Sequence, residues 1–317
     1  MPAAERFAVC ATTSHQGRRE AVLAASCDHT EPRRQLLAWL FLLSCAFGPL
    51  VHAADEDAPE VASEKGPWTL RYHFEDGETL RMEVRHRAVS DTTIEGTTQS
   101  VETATDSTKV WRVSLDEEGA VVLEHSVDDV RMHSRTSDRG SVTWDSRDAA
   151  PPPPGYEHMP ASLGIPLSRI TIDKSGHVLG RRNLQPIPES NSGDLVVVPL
   201  PSEPAAIGSE WEVPDEVVVE VPGGPRKLVR TRLRYRLTAV EDGVATIRVD
   251  TTVLTPVDDP QLQARLLERI WDGQILFDIV EGRVLERVTE MDRKVIGFSG
   301  PQSSLRYRAE MEERLLR

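Results

Sequence analysis

From Trp68 onward the chain repeats one device. Apolar and polar side chains alternate for a few residues, and an acidic turn containing Gly then reverses direction. Trp68, Leu70, Tyr72 and Phe74 alternate with Thr69, Arg71 and His73. After Glu75-Asp76-Gly77-Glu78, Leu80, Met82 and Val84 alternate with Arg81, Glu83 and Arg85. A period of two gives a pleated strand one apolar and one wet face. Asp-Gly supplies the positive φ of a tight turn. These residues predict a hairpin, with His73 and His86 flanking it on polar-facing positions.

The pattern recurs. Val110–Leu115 runs through Asp116-Glu117-Glu118-Gly119 into Ala120–Val127. Val130–Ser134 and Ser141–Trp144 are shorter strand candidates. Ile170–Asp173 turns at Lys174-Ser175-Gly176 into His177–Leu179. Glu216–Val221 and Lys227–Ala239 are joined across Pro222-Gly223-Gly224-Pro225, and Val244–Val253 follows the turn at Val240–Gly243. Gln274–Asp278 and Arg283–Val288 flank Glu281-Gly282. Ser304–Leu316 closes the chain as a strand, with a helix over Glu310–Leu316 as the alternative. One helix is expected, from Pro260 to Trp271. Asp258 or Asp259 caps it, Pro260 fits its first turn, and Leu262, Leu266, Leu267, Ile270 and Trp271 form its apolar stripe. The expected fold is therefore mainly β (α+β): long antiparallel hairpins in a curved sheet or half-open barrel.

Two segments recur in order. Trp111–Gly119 resembles Tyr235–Gly243, each an aromatic, an Arg, a short strand and an acidic turn ending in Gly. Ile170-Thr171-Ile172-Asp173 through Gly176-His177-Val178-Leu179-Gly180-Arg181 resembles Ile275-Leu276-Phe277-Asp278 through Gly282-Arg283-Val284-Leu285-Glu286-Arg287. This suggests an internal duplication. The expected units are residues 67–183 and 209–317, with a Pro/Ser-rich linker at 184–208. Pro151–Pro154 opens a long irregular loop, because consecutive prolines cannot donate to a sheet.

The N-terminal part has a different grammar. Arg33-Arg34 precede an apolar run, Leu36–Val51, of about 16 residues, short of the roughly 20 that a spanning helix needs. Val51-His52-Ala53 then offers small residues at the cleavage spacing. A basic, an apolar and a small-residue region define a secretory signal peptide. Residues 33–53 are read as that signal, cut between Ala53 and Ala54. Residues 54–66 are read as an acidic tether, and 1–32 as a doubtful or disordered extension. Leu42-Leu43-Ser44-Cys45 weakly resembles a lipidation motif, so a lipid anchor at Cys45 is the lesser alternative. The expected location is the periplasm or the extracellular space. All three cysteines precede the cut, which leaves no thiol or disulfide chemistry afterwards.

Cleavage removes five basic and four acidic side chains, taking the net charge from −14 to −15. That charge argues against a nucleic-acid partner, because phosphate binding needs a basic surface. His73, His86, His125, His133, His158 and His177 lack the spacing of a helical metal pair. The acidic clusters at Glu75–Glu78, Asp116–Glu118, Asp128-Asp129 and Asp258-Asp259 lack the register of a calcium loop. No nucleophile elbow, phosphate loop or dinucleotide fingerprint occurs. No catalytic, cofactor-binding or metal residue is therefore assigned, and the reading leans away from an enzyme. The loop at Tyr156-Glu157-His158-Met159 is the one place where unusual residues gather outside strands, and it reads as a connector pinned by Tyr156.

Leu200-Pro201, Ile207-Gly208-Ser209-Glu210-Trp211, and Gly273–Asp278 with Gly282-Arg283-Val284 resemble a family of uncharacterised exported bacterial proteins, known only as a domain of unknown function. The likeness covers most of residues 68–311. It implies a curved antiparallel sheet or half-open barrel, similar in fold to periplasmic lipoprotein carriers, and no activity. The expected function is a non-enzymatic binding or envelope-associated module. Its concave apolar face would take a lipid, an acyl chain or a peptide, or contact an envelope protein, with no stable membrane span after processing. Trp68, Tyr72, Trp111, Tyr235, Trp271 and Phe277 would line that interior or simply pack the core. The alternatives are a secreted hydrolase with a spatial carboxylate pair and a purely structural surface protein.

Overall fold

The computed structural model describes residues 66–116, 119–154, 156–157, 159–185, 197–219 and 226–317. The signal, Cys45, the cleavage point and the tether up to Lys65 lie outside them, as does His158. The strands are β1 (Thr79–Ile94), β2 (Thr97–Leu115), β3 (Val121–Thr136), β4 (Gly140–Asp145), β5 (Ser168–Ile172), β6 (Val178–Asn183), β7 (Glu210–Val219), β8 (Lys227–Glu241), β9 (Val244–Val253), β10 (Asp272–Asp278), β11 (Arg283–Ile296) and β12 (Ser304–Leu316). They form one open, curved, antiparallel sheet in the order β6-β5-β3-β2-β1-β12-β11-β10-β9-β8-β7, with β4 also on β3. The mainly β architecture inferred from the sequence is the one observed.

The repeat is visible in this order. The run β6-β5-β3-β2-β1 is matched, across β12, by β11-β10-β9-β8-β7. The two motif pairs fall on corresponding hairpins. Trp111 and Val113 are buried as Tyr235 and Leu237 are, and Ile170 and Ile172 as Ile275 and Phe277 are. The pairing slips between Thr171 and Ile172 in one hairpin and between Leu276 and Phe277 in the other, the residues that the motifs align. Each hairpin turn is held by its Asp: Asp173 accepts from the Ser175 and His177 amides, and Asp278 from those of Val280 and Glu281.

One hairpin expectation is corrected. Trp68–Phe74 does not pair with β1, because β1 already has β2 on one side and β12 on the other and offers no edge. The segment instead runs extended against the core. Trp68 exchanges backbone bonds with Ala205, the Tyr72 amide donates to Lys174 O, and the His73 amide donates to Gly282 O. Lys174 and Gly282 belong to the equivalent turns of the two repeats, so this strap ties them together. A Cβ on Gly282 would lie 2.6 Å from the His73 nitrogen, which is why that turn needs glycine. The region read as a linker contributes Val197, Val198, Leu200 and Ala205 to the same core. Tyr72 hydroxyl donates to Val198 O at 2.9 Å and accepts from its amide at 2.7 Å.

The helix α1 is shorter than expected, Pro260–Leu266, followed by a 3-10 turn over Leu267–Arg269. Asp259 caps it, accepting from the Gln261 amide. Ile270 is already extended, and Trp271 leads into β10 and packs against the main core. The C-terminal residues are strand throughout, because β12 is paired on both sides.

Candidate functional site, the open half of the inner face

Register defines the inner face of the sheet. On β1 it carries Leu80, Met82, Val84, His86, Ala88 and Ser90. Directly opposite on β12 stand Leu315, Glu313, Met311, Ala309 and Tyr307 for the last five. The lower half of this face is filled by the chain itself. Trp111, Tyr235, Phe277 and Tyr72 are buried there, with Trp68 and Trp271 packed against them, so the six aromatics build core rather than line a cavity.

The upper half is different. One cross-strand row is Thr103, Ala88, Ala309 and Met291, and the row nearer the core is Met132, Thr105, His86, Met311 and Thr289. Further out come Ser90, Tyr307 and Arg293. Met132, Met291, Met311, Ala309 and Tyr307 are only half-buried. The result is a largely half-buried strip of the inner face, here called the trough, in which Met132, Ala88, Ala309, Met291 and Met311 are interspersed with Thr103, Thr105, Ser90 and Tyr307. His86 thus sits on the apolar side, not the polar side expected for it. Its even position shares the face of Met82 and Val84, and desolvation, with Arg87 and Lys109 nearby, lowers its pKa.

Helix α1 walls one flank. Leu262 and Leu266 pack on Val217, Val219 and Val229. Glu268 follows at the rim. It keeps access to solvent, yet surrounding protein strips enough hydration to push its carboxyl up, opposed by Arg269. Burial raises the Tyr307 phenol in turn, with a smaller contribution from Glu268. At the inner end of the trough, Glu313 accepts from Lys109 Nζ at 3.0 Å and from Arg287 Nε at 2.6 Å. Arg287 and Glu313 are buried and Lys109 largely so, and the triad spans the junction where β1 meets β12.

The outer face is an ion-pair lattice. A cleft of about 340 Å³ there is lined by Arg85, Arg87, Arg131 and Arg147 among others. Its arginines pair off: Arg87 with Asp106, Arg85 with Glu83, and Arg131 and Arg147 with Asp145. The Arg147 and Arg131 bonds hold the Asp145 carboxyl well below the carboxylate range. Such carboxylates are neutralised rather than poised for proton transfer. The acidic turns serve as local caps. Asp116 accepts from the Ala120 amide, Asp76 from that of Leu115, and Glu78 bonds Arg283. His73 contacts Val280 O, and His133 contacts Thr143. Burial raises the Tyr156 phenol to about 12. The trough was missed in the sequence because Thr97–Thr108 carries little apolar alternation.

No family model matches the chain, and no curated protein matches it significantly. Among solved structures it is similar to a DUF1329 family protein from Desulfovibrio piger, with 10% identity, 74% of this chain and 83% of that chain covered, and a TM-score of 0.15. It is also similar to MucB in complex with MucA(peri), with 8% identity, 74% and 89% coverage and a TM-score of 0.11. A third likeness is to the Pseudomonas aeruginosa MucA/MucB complex, with 8% identity, 76% and 90% coverage and a TM-score of 0.08. Superposition at this level carries nothing about activity or partner.

Proposed function

We propose that this chain is an exported, non-enzymatic binding module that holds an apolar ligand in the open half of its inner sheet face. The carrying observation is the contrast within one face. The chain's own segments cover the lower half, whereas Ala309, Met291 and Tyr307 remain half-buried above it. Apolar surface left in contact with water gains roughly 25 cal/mol per Å² when a ligand covers it. Methionines adapt to varied ligand shapes. Export is supported by Arg33-Arg34, the run Leu36–Val51 and the small residues before Ala54. Kinship with the exported family of unknown function belongs to the same proposal.

The test is a titration of the exported protein with 1-anilinonaphthalene-8-sulfonate, alongside native mass spectrometry of protein from periplasmic extracts. Ala309→Trp should weaken probe binding about ten-fold or more, equivalent to roughly 1.4 kcal/mol. Its thermal midpoint should stay close to that of the parent, because the residue faces the trough. Unchanged probe binding in Ala309→Trp sinks the proposal.

A further inference from the structure

Methionine is scarce in this chain and unevenly placed. After the first residue it occurs at Met82, Met132, Met159, Met291 and Met311, and all of these but Met159 stand on the inner face of the sheet. Met82 is buried in the core. Met132 and Met291 keep part of their surface open, as does Met311, although it packs against the core on one side, and as does His86 among them. Met311 is directly opposite His86 in register. Directly opposed side chains on one face start from Cβ atoms about 4.5–5.5 Å apart. Met132 stands in the same row, two strands from His86, with about 10 Å between Cα positions. Met291 is the diagonal neighbour of Met311, about 7–8 Å away. A methionine stem is unbranched and has three rotatable bonds, so its sulfur can swing to a point between such positions.

The donors brought together are thioether sulfurs and one imidazole. Among the described residues the His86 ring makes no hydrogen bond or ion pair, and its lowered pKa leaves it neutral, with a free lone pair, at neutral pH. Among the same residues no three His, Cys, Asp or Glu side chains converge, so a divalent ion that wants oxygen, thiolate or several imidazoles finds no ligand set here. Glu313, one row deeper on β12, is taken by Lys109 and Arg287. That triad is net positive, and it opposes a divalent cation twice as strongly as a monovalent one. Thioether sulfur selects monovalent copper, and imidazole also suits copper. We propose that His86 and Met311, joined by Met132 or Met291, form a binding site for Cu+ on the open strip. The ion binds and leaves as Cu+, so no oxidant or reductant takes part. The spacing that tests for a helical histidine pair misses such a site, because its donors come from different strands. The site does not depend on the apolar-ligand reading above.

The experiment titrates the exported protein, without oxygen and with ascorbate present, against the Cu+ complex of bicinchoninate. Cys10, Cys27 and Cys45 all precede Ala54, so no thiol competes in that form. The protein should take one Cu+ per chain from the chelator, and X-ray absorption at the copper edge should show both sulfur and nitrogen in the first shell. Met311→Leu and His86→Gln should each weaken uptake at least ten-fold, since even partners outside a ligand shell cost about 10–100-fold when removed. Met311→Leu conserves volume, so its thermal midpoint should stay close to that of the parent and separate lost donation from lost fold. Met132→Leu and Met291→Leu identify the third donor, and Met159→Leu, away from the sheet face, should leave uptake unchanged. Failure to draw Cu+ from the chelator overturns the proposal. So does uptake that survives Met311→Leu, or competition by an equal concentration of Zn2+. Probe binding that Ala309→Trp weakens, without any copper uptake, also overturns it and leaves the apolar-ligand reading standing.

Discussion

Glu313→Ala is expected to destabilise the fold by about 3–5 kcal/mol, measured by urea unfolding near neutral pH, because it removes the carboxylate that two largely buried cations share. Lys109 comes from β2, Arg287 from β11 and Glu313 from β12, and all three are largely withdrawn from water. Glu313 lies 204 residues from Lys109 in the chain, so the triad ties the N-terminal half of the sheet to the C-terminal half. Replacing the whole triad by Met and Leu should be far milder than the single change, because no buried charge remains. A loss below about 1 kcal/mol for Glu313→Ala would show that water reaches the two cations.

The same carboxylate gives a pH dependence of defined sign. Burial by itself raises its pKa and is the largest single influence. The charges and hydrogen bonds of Arg287 and Lys109 together outweigh it and hold the group below its ordinary value. The folded pKa is therefore depressed relative to the unfolded one. The stabilisation is fully present above the unfolded carboxylate pKa of roughly 4.3, and is lost as pH falls through the folded value. Urea midpoints should drop on acidification for the parent, and by less for the triad replacement. Parallel declines would remove Glu313 as the cause.

Tyr72→Ala is expected to cost about 3–5 kcal/mol, and Tyr72→Phe about 1–3 kcal/mol. The ring stacks on Phe74 at 5.4 Å and meets Phe277 edge-on at 5.4 Å, so truncation opens a cavity in the main core. The Phe variant keeps that packing but leaves the Val198 amide and carbonyl without their partner, which isolates the polar contribution. Because Tyr72 joins the strap to Val198, Tyr72→Ala should also expose the lower inner face and raise binding of 1-anilinonaphthalene-8-sulfonate. Equal stability of the Phe variant and the parent would show that the Val198 bonds add nothing net.

How much was legible differs by residue. Val244–Val253 and the hairpins at Asp173 and Asp278 could be read directly, because alternation and an Asp–Gly turn are local properties of a few consecutive residues. The repeated motifs were legible for the same reason, and the register slips at Thr171 and Leu276 lie where those motifs align. Thr97–Thr108 was not legible, since its strand state comes from β1 and β3 on either side rather than from its own apolar content. Nor was the end of the helix, which stops before its apolar stripe does.

By itself, then, the sequence determined the pleated character, the turns and the buried identity of residues such as Leu70 and Tyr72. Tertiary structure alone decided that Trp68–Phe74 would be a strap rather than a hairpin arm, that Lys109, Arg287 and Glu313 would meet, and that Met291, Ala309 and Tyr307 on the inner face would stay only half-buried. The physical reason is that side-chain alternation is set within a strand by the pleat. The choice of neighbour, by contrast, is a competition among edges far apart in the chain, won by whichever pairing leaves the fewest backbone groups and apolar side chains unpartnered.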